Sequence, residues 1–252
     1  MQYLGGKSRT AKQIAGYIHN VIKPGQAYYE PFCGACWVTC QVQADRRFAS
    51  DANAGMIALW QALQDGWIPP SEVSEDEHRA AKQGAYADQP HLEAFIMVGC
   101  SFGGVWGAGY AGGMNGNYTY AGQARVNLLH NINLLHDVQF TACDYAAIKP
   151  QPNSLIYCDP PYDGYSGYGA VGAFDSAAFW RWVQGMTEAG HTVIVSEYNA
   201  PDGWSCVVEM PTTTTMRAKG NVGSARVERL FRYGQHERLQ PVMPGFELVM
   251  GA

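Results

Sequence analysis

From Ser8 onward, apolar side chains recur at Ala11, Ile14, Ala15, Ile18 and Ile22, the three-and-four spacing of an amphipathic helix. The turn Gly5-Gly6 comes just before, so the stretch YLGGK (3–7) falls on the loop entering this first helix. The period then shortens to that of strands. QAYYEPF (26–32) reads as a strand running into a Gly-containing turn, and RRFASDAN (46–53) as another that ends at Asp51. Asn53 is placed to cap the helix AGMIALWQAL (54–63), which Gly66 closes. After a helix over ARVNLLHNINLLH (124–136), strands are expected in VQFTACDY (138–145) and NSLIYCDPPY (153–162). A helix from Asp175 puts Phe179, Trp182, Val183 and Met186 on one face and stops at Gly190; TVIVSEYN (192–199) and ARVERLFRY (225–233) follow as strands. Strands alternating with helices predict an α/β fold built on a parallel sheet.

The rhythm breaks over residues 67–123. Two polar helices are expected there, followed by CSFGGVWGAGYAGGMNGNYTYAG (100–122), dense in glycine and aromatics. Such a stretch reads equally as a surface loop or as adaptable backbone whose exposed rings meet unpaired bases. With 252 residues to place, we expect one main domain, 1–66 with 124–252, carrying 67–123 as an insertion. Hydrophobic residues at 47% and charged ones at 15% exclude a disordered chain. No apolar run reaches the roughly 20 residues of a membrane helix, and MQYLGGKSRT has no apolar leader core. A cytoplasmic protein with no membrane partner is therefore expected, its seven cysteines reduced. Cys33, Cys36 and Cys40 have a spacing that suggests metal ligation, but no second Cys/His pair supplies a fourth ligand. Small buried thiols at a helix start are the expectation, and no metal. The net charge of −5 does not favour a polyanionic partner, yet Arg217, Lys219, Arg226, Arg229 and Arg232 concentrate positive charge late in the chain.

EPFCGAC (30–36), SDAN (50–53) and CDPPY (158–162) each sit where a strand ends. In an open parallel sheet that edge is where ligands bind, so the three should converge. Gly34 alone signals only a tight turn. Asp51 is placed either to cap a helix or to accept both hydroxyl protons of a ribose. Asp159-Pro160-Pro161-Tyr162 is either a tight turn or an amine grip. Pro-Pro lacks N–H groups and has fixed φ, so the Pro160 carbonyl and the Asp159 carboxylate offer two acceptors beside the Tyr162 ring. The two N–H protons of an exocyclic amine on a flat base match that pair of acceptors. A dehydrogenase is excluded by the missing G-x-G-x-x-G fingerprint.

Taken together, YLGGK, EPFCGAC, SDAN and CDPPY resemble, in order, the motifs of the D12-type DNA adenine N6-methyltransferases. VIVSEYN (193–199) and RAKGNVGSARVERLFRY (217–233) are similar to that family's later strand and C-terminal hairpin. The resemblance implies a Rossmann-like methyltransferase fold with a mostly parallel sheet, a late antiparallel strand and a small target-recognition insertion at 67–123. It implies S-adenosylmethionine as cofactor, with Tyr3, Gly6, Lys7, Glu30, Phe32, Cys33, Gly34, Asp51, Asn53, Asp144, Tyr145 and Asp159 forming its site. Asp159, Pro160, Pro161 and Tyr162 would hold the flipped base of double-stranded DNA, in a bacterial cell or a phage, by a monomeric enzyme. The chain departs from the family at Cys36, where the loop F-x-G-x-G has its second glycine, at Gln2, where a lysine is usual, and in SFGGVWGAGY (101–110). The chemistry leaves cytosine N4, an RNA adenine, or a degenerate non-catalytic DNA binder as alternatives.

Overall fold

The computed structural model describes residues 1–114, 118–161, 174–213 and 225–236. Seven strands form one sheet in the order β5-β2-β1-β6-β7-β9-β8. The central strands are β1 (Tyr28–Glu30), β2 (Arg47–Asp51), β5 (Val138–Ala142), β6 (Leu155–Cys158) and β7 (Thr192–Glu197), all parallel to their neighbours among them. β9 (Ala225–Tyr233) runs antiparallel to both β7 and β8 (Trp204–Thr213). This is the mostly parallel sheet with a late antiparallel strand that the sequence predicts. The strand β8, in WSCVVEMPTT, has no counterpart in that reading; its apolar run Cys206-Val207-Val208 breaks strict alternation at an irregularity in the ladder, and among the described residues it pairs with β9 alone.

Alternation along the strands explains how the sheet is covered on both faces. Tyr28, Leu155, Tyr157, Ile194 and Leu230 face α1 (Ala11–Val21), which buries Ile14 and Ile18 among them. Tyr29, Ile156, Cys158, Val193 and Val195 face the opposite way, onto Phe179 and Val183 of α6 (Ser176–Glu188). Asp175 caps α6 by accepting from Ala178 N at 2.9 Å, and Gly190, at φ 93°, ends it. α6 thus begins at a side-chain cap and ends at a left-handed glycine.

Residues 67–123 contain α3 (Glu75–Lys82), α4 (Pro90–Ala94), a π-helical turn at Phe95–Gly99, a 3-10 turn at Phe102–Gly104 and the short pair β3 (Gly113–Met114) and β4 (Tyr118–Thr119). Ser74 and Glu77 form a reciprocal capping box that starts α3. Phe95, Ile96 and Val98 are fully buried and share one core with Trp60 of α2 (Ala54–Gln64) and Val138 of β5. The insertion therefore packs directly on the sheet's β5 side. The helix expected at 124–136 is α5 (Tyr120–Ile132), which starts earlier because Thr119 accepts from Gly122 N at 2.9 Å. No helix among the described residues is long and apolar enough to cross a membrane.

Candidate methyltransferase site

β1 and β6 are neighbours at the centre of the sheet, and the chain leaves them in opposite directions across it. That switch point opens a crevice beyond their carboxyl ends, where EPFCGAC follows β1 and DPPY follows β6. The three motifs do converge. Asp51, the last residue of β2, accepts from Gly34 N at 2.9 Å through Oδ2 and from Asn53 N at 2.8 Å through Oδ1. Each oxygen keeps a further lone pair, so two hydroxyl protons of one ribose still have acceptors. Burial pushes the Asp51 carboxyl above its usual range, an effect that these backbone donors oppose. Asn53 caps α2, accepting from Gly55 N at 3.1 Å. The cap and ribose readings of this stretch thus fall on two residues, Asn53 as cap and Asp51 as the open acceptor.

Gly34 has φ 42°, and an added Cβ would lie 2.6 Å from the Tyr3 ring. Tyr3 therefore lies flat against the loop at a distance only glycine permits. Gly6 is exposed, and an added Cβ there would meet Tyr3 O at 3.0 Å and the Trp37 indole at 3.1 Å. Cys36, where the family's second glycine stands, takes φ 55°, the left-handed conformation of a glycine with a side chain attached. Its thiol is fully buried in the core with Met1, Cys33, Cys40 and Met56. Burial pushes Cys33 up to about 11 and Cys40 up to about 12, and Cys36 well above the usual thiol range. All three sit as protonated, space-filling groups at neutral pH.

Phe32 and Tyr145 stack at 5.3 Å, and both rings join the cluster around Phe179. Asp144 is exposed and accepts from Ala146 N at 2.8 Å, opening the 3-10 turn Tyr145–Ala147. Glu30 is buried at the end of β1; its Oε2 accepts from the Tyr28 hydroxyl at 2.6 Å and from Thr39 Oγ1 at 2.5 Å. Burial raises its carboxyl to about 8 against these two donors, with the nearby Asp159 charge adding to the rise.

Asp159 is partly buried and Pro160 buried at the end of β6, while Pro161 is half-buried. Lys7, itself buried, places its ammonium 2.5 Å from Asp159 Oδ1 and 3.0 Å from Glu228 Oε1. Glu228, which sequence reasoning did not single out, joins Lys7 and Asp159 in this cluster of charges. It sits in a strand recognised only as "ARVERLFRY", and an acidic residue in a late strand carries no local signal of its own. Tyr162, Arg217 and Lys219 lie outside the described residues, and Arg226 is described in backbone only. Arg229 pairs with Glu209 at 3.0 Å and donates to Tyr198 O at 2.6 Å.

The strand order, the glycine loop after β1, the carboxylate ending β2 and the Asp-Pro-Pro after β6 define a doubly wound α/β fold with its motifs at the carboxyl edge of the sheet. Within that class, residues 3–90 match the model of the D12 class N6 adenine-specific DNA methyltransferases, the family that the four motifs resemble. That match contains YLGGK, EPFCGAC and SDAN and ends before DPPY. The chain is similar to the DNA adenine methylase of Salmonella typhi, 21% identical over 216 residues that cover 78% of this chain and 74% of that one. Two solved structures are similar at a low level. A protein from Escherichia coli, yhhF, described as a candidate methyltransferase, has a TM-score of 0.40 and 11% identity, covering 90% of this chain and 88% of its own. A conserved hypothetical protein from Streptococcus pyogenes has a TM-score of 0.38 and 7% identity, covering 90% and 98%. The fold class rests on the strand order, not on these two.

Proposed function

We propose that the protein is a site-specific DNA methyltransferase that moves a methyl group to the N6 amine of an adenine swung out of double-stranded DNA. One observation carries this reading: Asp159 and Pro160 stand together at the end of β6, across the switch point from the loop around Gly34 and Asp51. The donor set fits S-adenosylmethionine, since Asp51 retains two acceptor positions for ribose hydroxyls and Gly34 removes the side chain that would fill the loop. When bound there, that cofactor supplies an electrophilic methyl on a sulfonium.

Adenine N6 is a poor nucleophile because its lone pair is delocalised into the ring. The Asp159 carboxylate and the Pro160 carbonyl each accept one of its N–H protons, which turns the pair out of conjugation and aims it at the methyl carbon. The Tyr162 ring offers a face for stacking, and Tyr3, Phe32, Cys33, Asn53, Asp144 and Tyr145 surround the cofactor side. Residues 67–123 supply the contacts that select the target sequence. The enzyme needs no covalent intermediate and no metal.

Asp159→Ala should keep S-adenosylmethionine binding within about threefold by calorimetry, about 0.6 kcal/mol, because the ribose grip is elsewhere. It should lose methyl transfer by roughly a thousandfold, on the order of 4 kcal/mol of transition-state stabilisation. Product nucleosides then decide the acceptor: N6-methyladenine supports the reading, whereas N4-methylcytosine or methylated RNA would replace it. Undiminished turnover in Asp159→Ala would remove Asp159 from the reaction.

A further inference from the structure

Glu228 lies in β9, buried, on the face that packs against α1. Its Oε1 is 3.0 Å from Lys7 Nζ and accepts from the Ser196 hydroxyl of β7 at 2.7 Å; its Oε2 accepts from Thr10 Oγ1 at 3.4 Å. The same Lys7 ammonium is 2.5 Å from Asp159 Oδ1. One cation thus bridges two carboxylates, and one of the two is the amine acceptor of the proposed reaction. Glu30 approaches from β1, its carboxyl pushed up to about 8 by burial and by the nearby Asp159 charge. From β6 comes the Tyr157 hydroxyl, which is completely buried, has no hydrogen-bond partner among the described residues, and feels the charges of Asp159, Lys7, Glu228 and Glu30. The Lys7 ammonium thus stands between the two carboxylates.

Resting on the function proposed above, we infer that Glu228 is a positioning residue for methyl transfer: it holds Lys7 against Asp159 and stays as the ammonium's counter-charge when Asp159 takes up the proton that the methylated amine releases. The balance is simple. The N6 lone pair forms the bond to the methyl carbon as that carbon's bond to sulfur breaks, and the sulfur keeps the bonding pair. N6 is then cationic. Its N–H bond to Asp159 breaks, the pair returns to nitrogen, and the proton goes to the carboxylate. Lys7 and Glu228 are then left facing each other, one positive charge against one negative. After the product leaves, Asp159 passes the proton to water. Without the Glu228 charge, a protonated Asp159 would leave the ammonium facing neither of these two carboxylates in charged form.

The test is single-turnover methylation of adenine-containing duplex DNA as a function of pH, at saturating S-adenosylmethionine. Glu228→Gln keeps the size and one acceptor but removes the charge. Its rate at neutral pH should fall roughly 10- to 100-fold, and the acidic limb of its profile should move down by about one pH unit. Lys7→Met should move that limb upward, and the double variant should return it toward wild type. A merely structural Glu228 would lower the active fraction and leave the limb where it is, which overturns the inference. If Glu228→Gln does not fold, Lys7→Met and the double variant still decide, since coincident limbs in those two also overturn it. Wild-type protein that methylates no adenine overturns the proposed function as well, an outcome distinct from an active wild type with unshifted variants.

Discussion

At the scale of single residues, Glu30 links the site to stability. Its carboxyl is raised from 4.5 to about 8, so the folded protein holds a proton that the unfolded chain gives up. The sign follows from linkage: the contribution is fully present below about 4.5 and is lost as pH rises through about 8. Glu30→Gln imitates the neutral acid and keeps an acceptor for Tyr28 and Thr39. Urea denaturation should find the variant and wild type alike at pH 5. At pH 8.5 the variant should be the more stable of the two, because only wild type then faces burying a carboxylate. A difference that stays constant across this range would mean that Glu30 is already charged in the folded protein.

At the scale of elements, the loop from β1 toward β2 combines two left-handed residues, Gly34 and Cys36, with different reasons for their geometry. Gly34 is required because Tyr3 lies within 2.6 Å of where a side chain would begin. Cys36 accepts a strain of about 1 kcal/mol in return for a thiol seated in the core. The Cys36 thiol is wholly buried in the core with Met1 and Met56, so we expect it to stand away from a bound cofactor. Cys36→Gly should therefore leave S-adenosylmethionine affinity within about twofold by calorimetry, under about 0.5 kcal/mol. A tighter complex in that variant would show that the departure from glycine weakens cofactor binding after all. This loop was legible in the sequence, as were the strands at 28–30, 47–51, 138–142, 155–158 and 192–197, because apolar runs bounded by Gly, Pro and Asp signal strand ends locally. Glu228 was not, because its meaning arises from pairing β9 with β7 and from a hydrogen bond to Thr10, 218 residues away in sequence. β8 escaped for a related reason, since an edge strand is defined by its partner. The π-helical turn at Phe95–Gly99 is equally invisible to a periodicity of 3.6.

At the scale of the whole molecule, residues 67–123 meet the YLGGK stretch through backbone. Leu4 N donates to Gly104 O at 3.1 Å, and a side chain at Gly104 would strike the backbone of Gln2 and Tyr3 at 2.5–2.6 Å. The turn that carries Phe102 is thereby fixed against YLGGK, and Phe102 itself is 67% exposed. A large apolar ring held out beside YLGGK gains little in the free protein, and under the function proposed above it suits stacking on bases as duplex DNA opens. Phe102→Ala should change folding stability by no more than about 0.5 kcal/mol, while weakening DNA binding by about 1 to 2 kcal/mol. The salt dependence separates the causes. An aromatic contact releases no counterions, so the slope of log affinity against log salt should be the same in both proteins, with the variant's line displaced downward. A shallower slope in the variant would mean that the substitution disturbed phosphate contacts, and unchanged affinity would remove Phe102 from the DNA-binding surface.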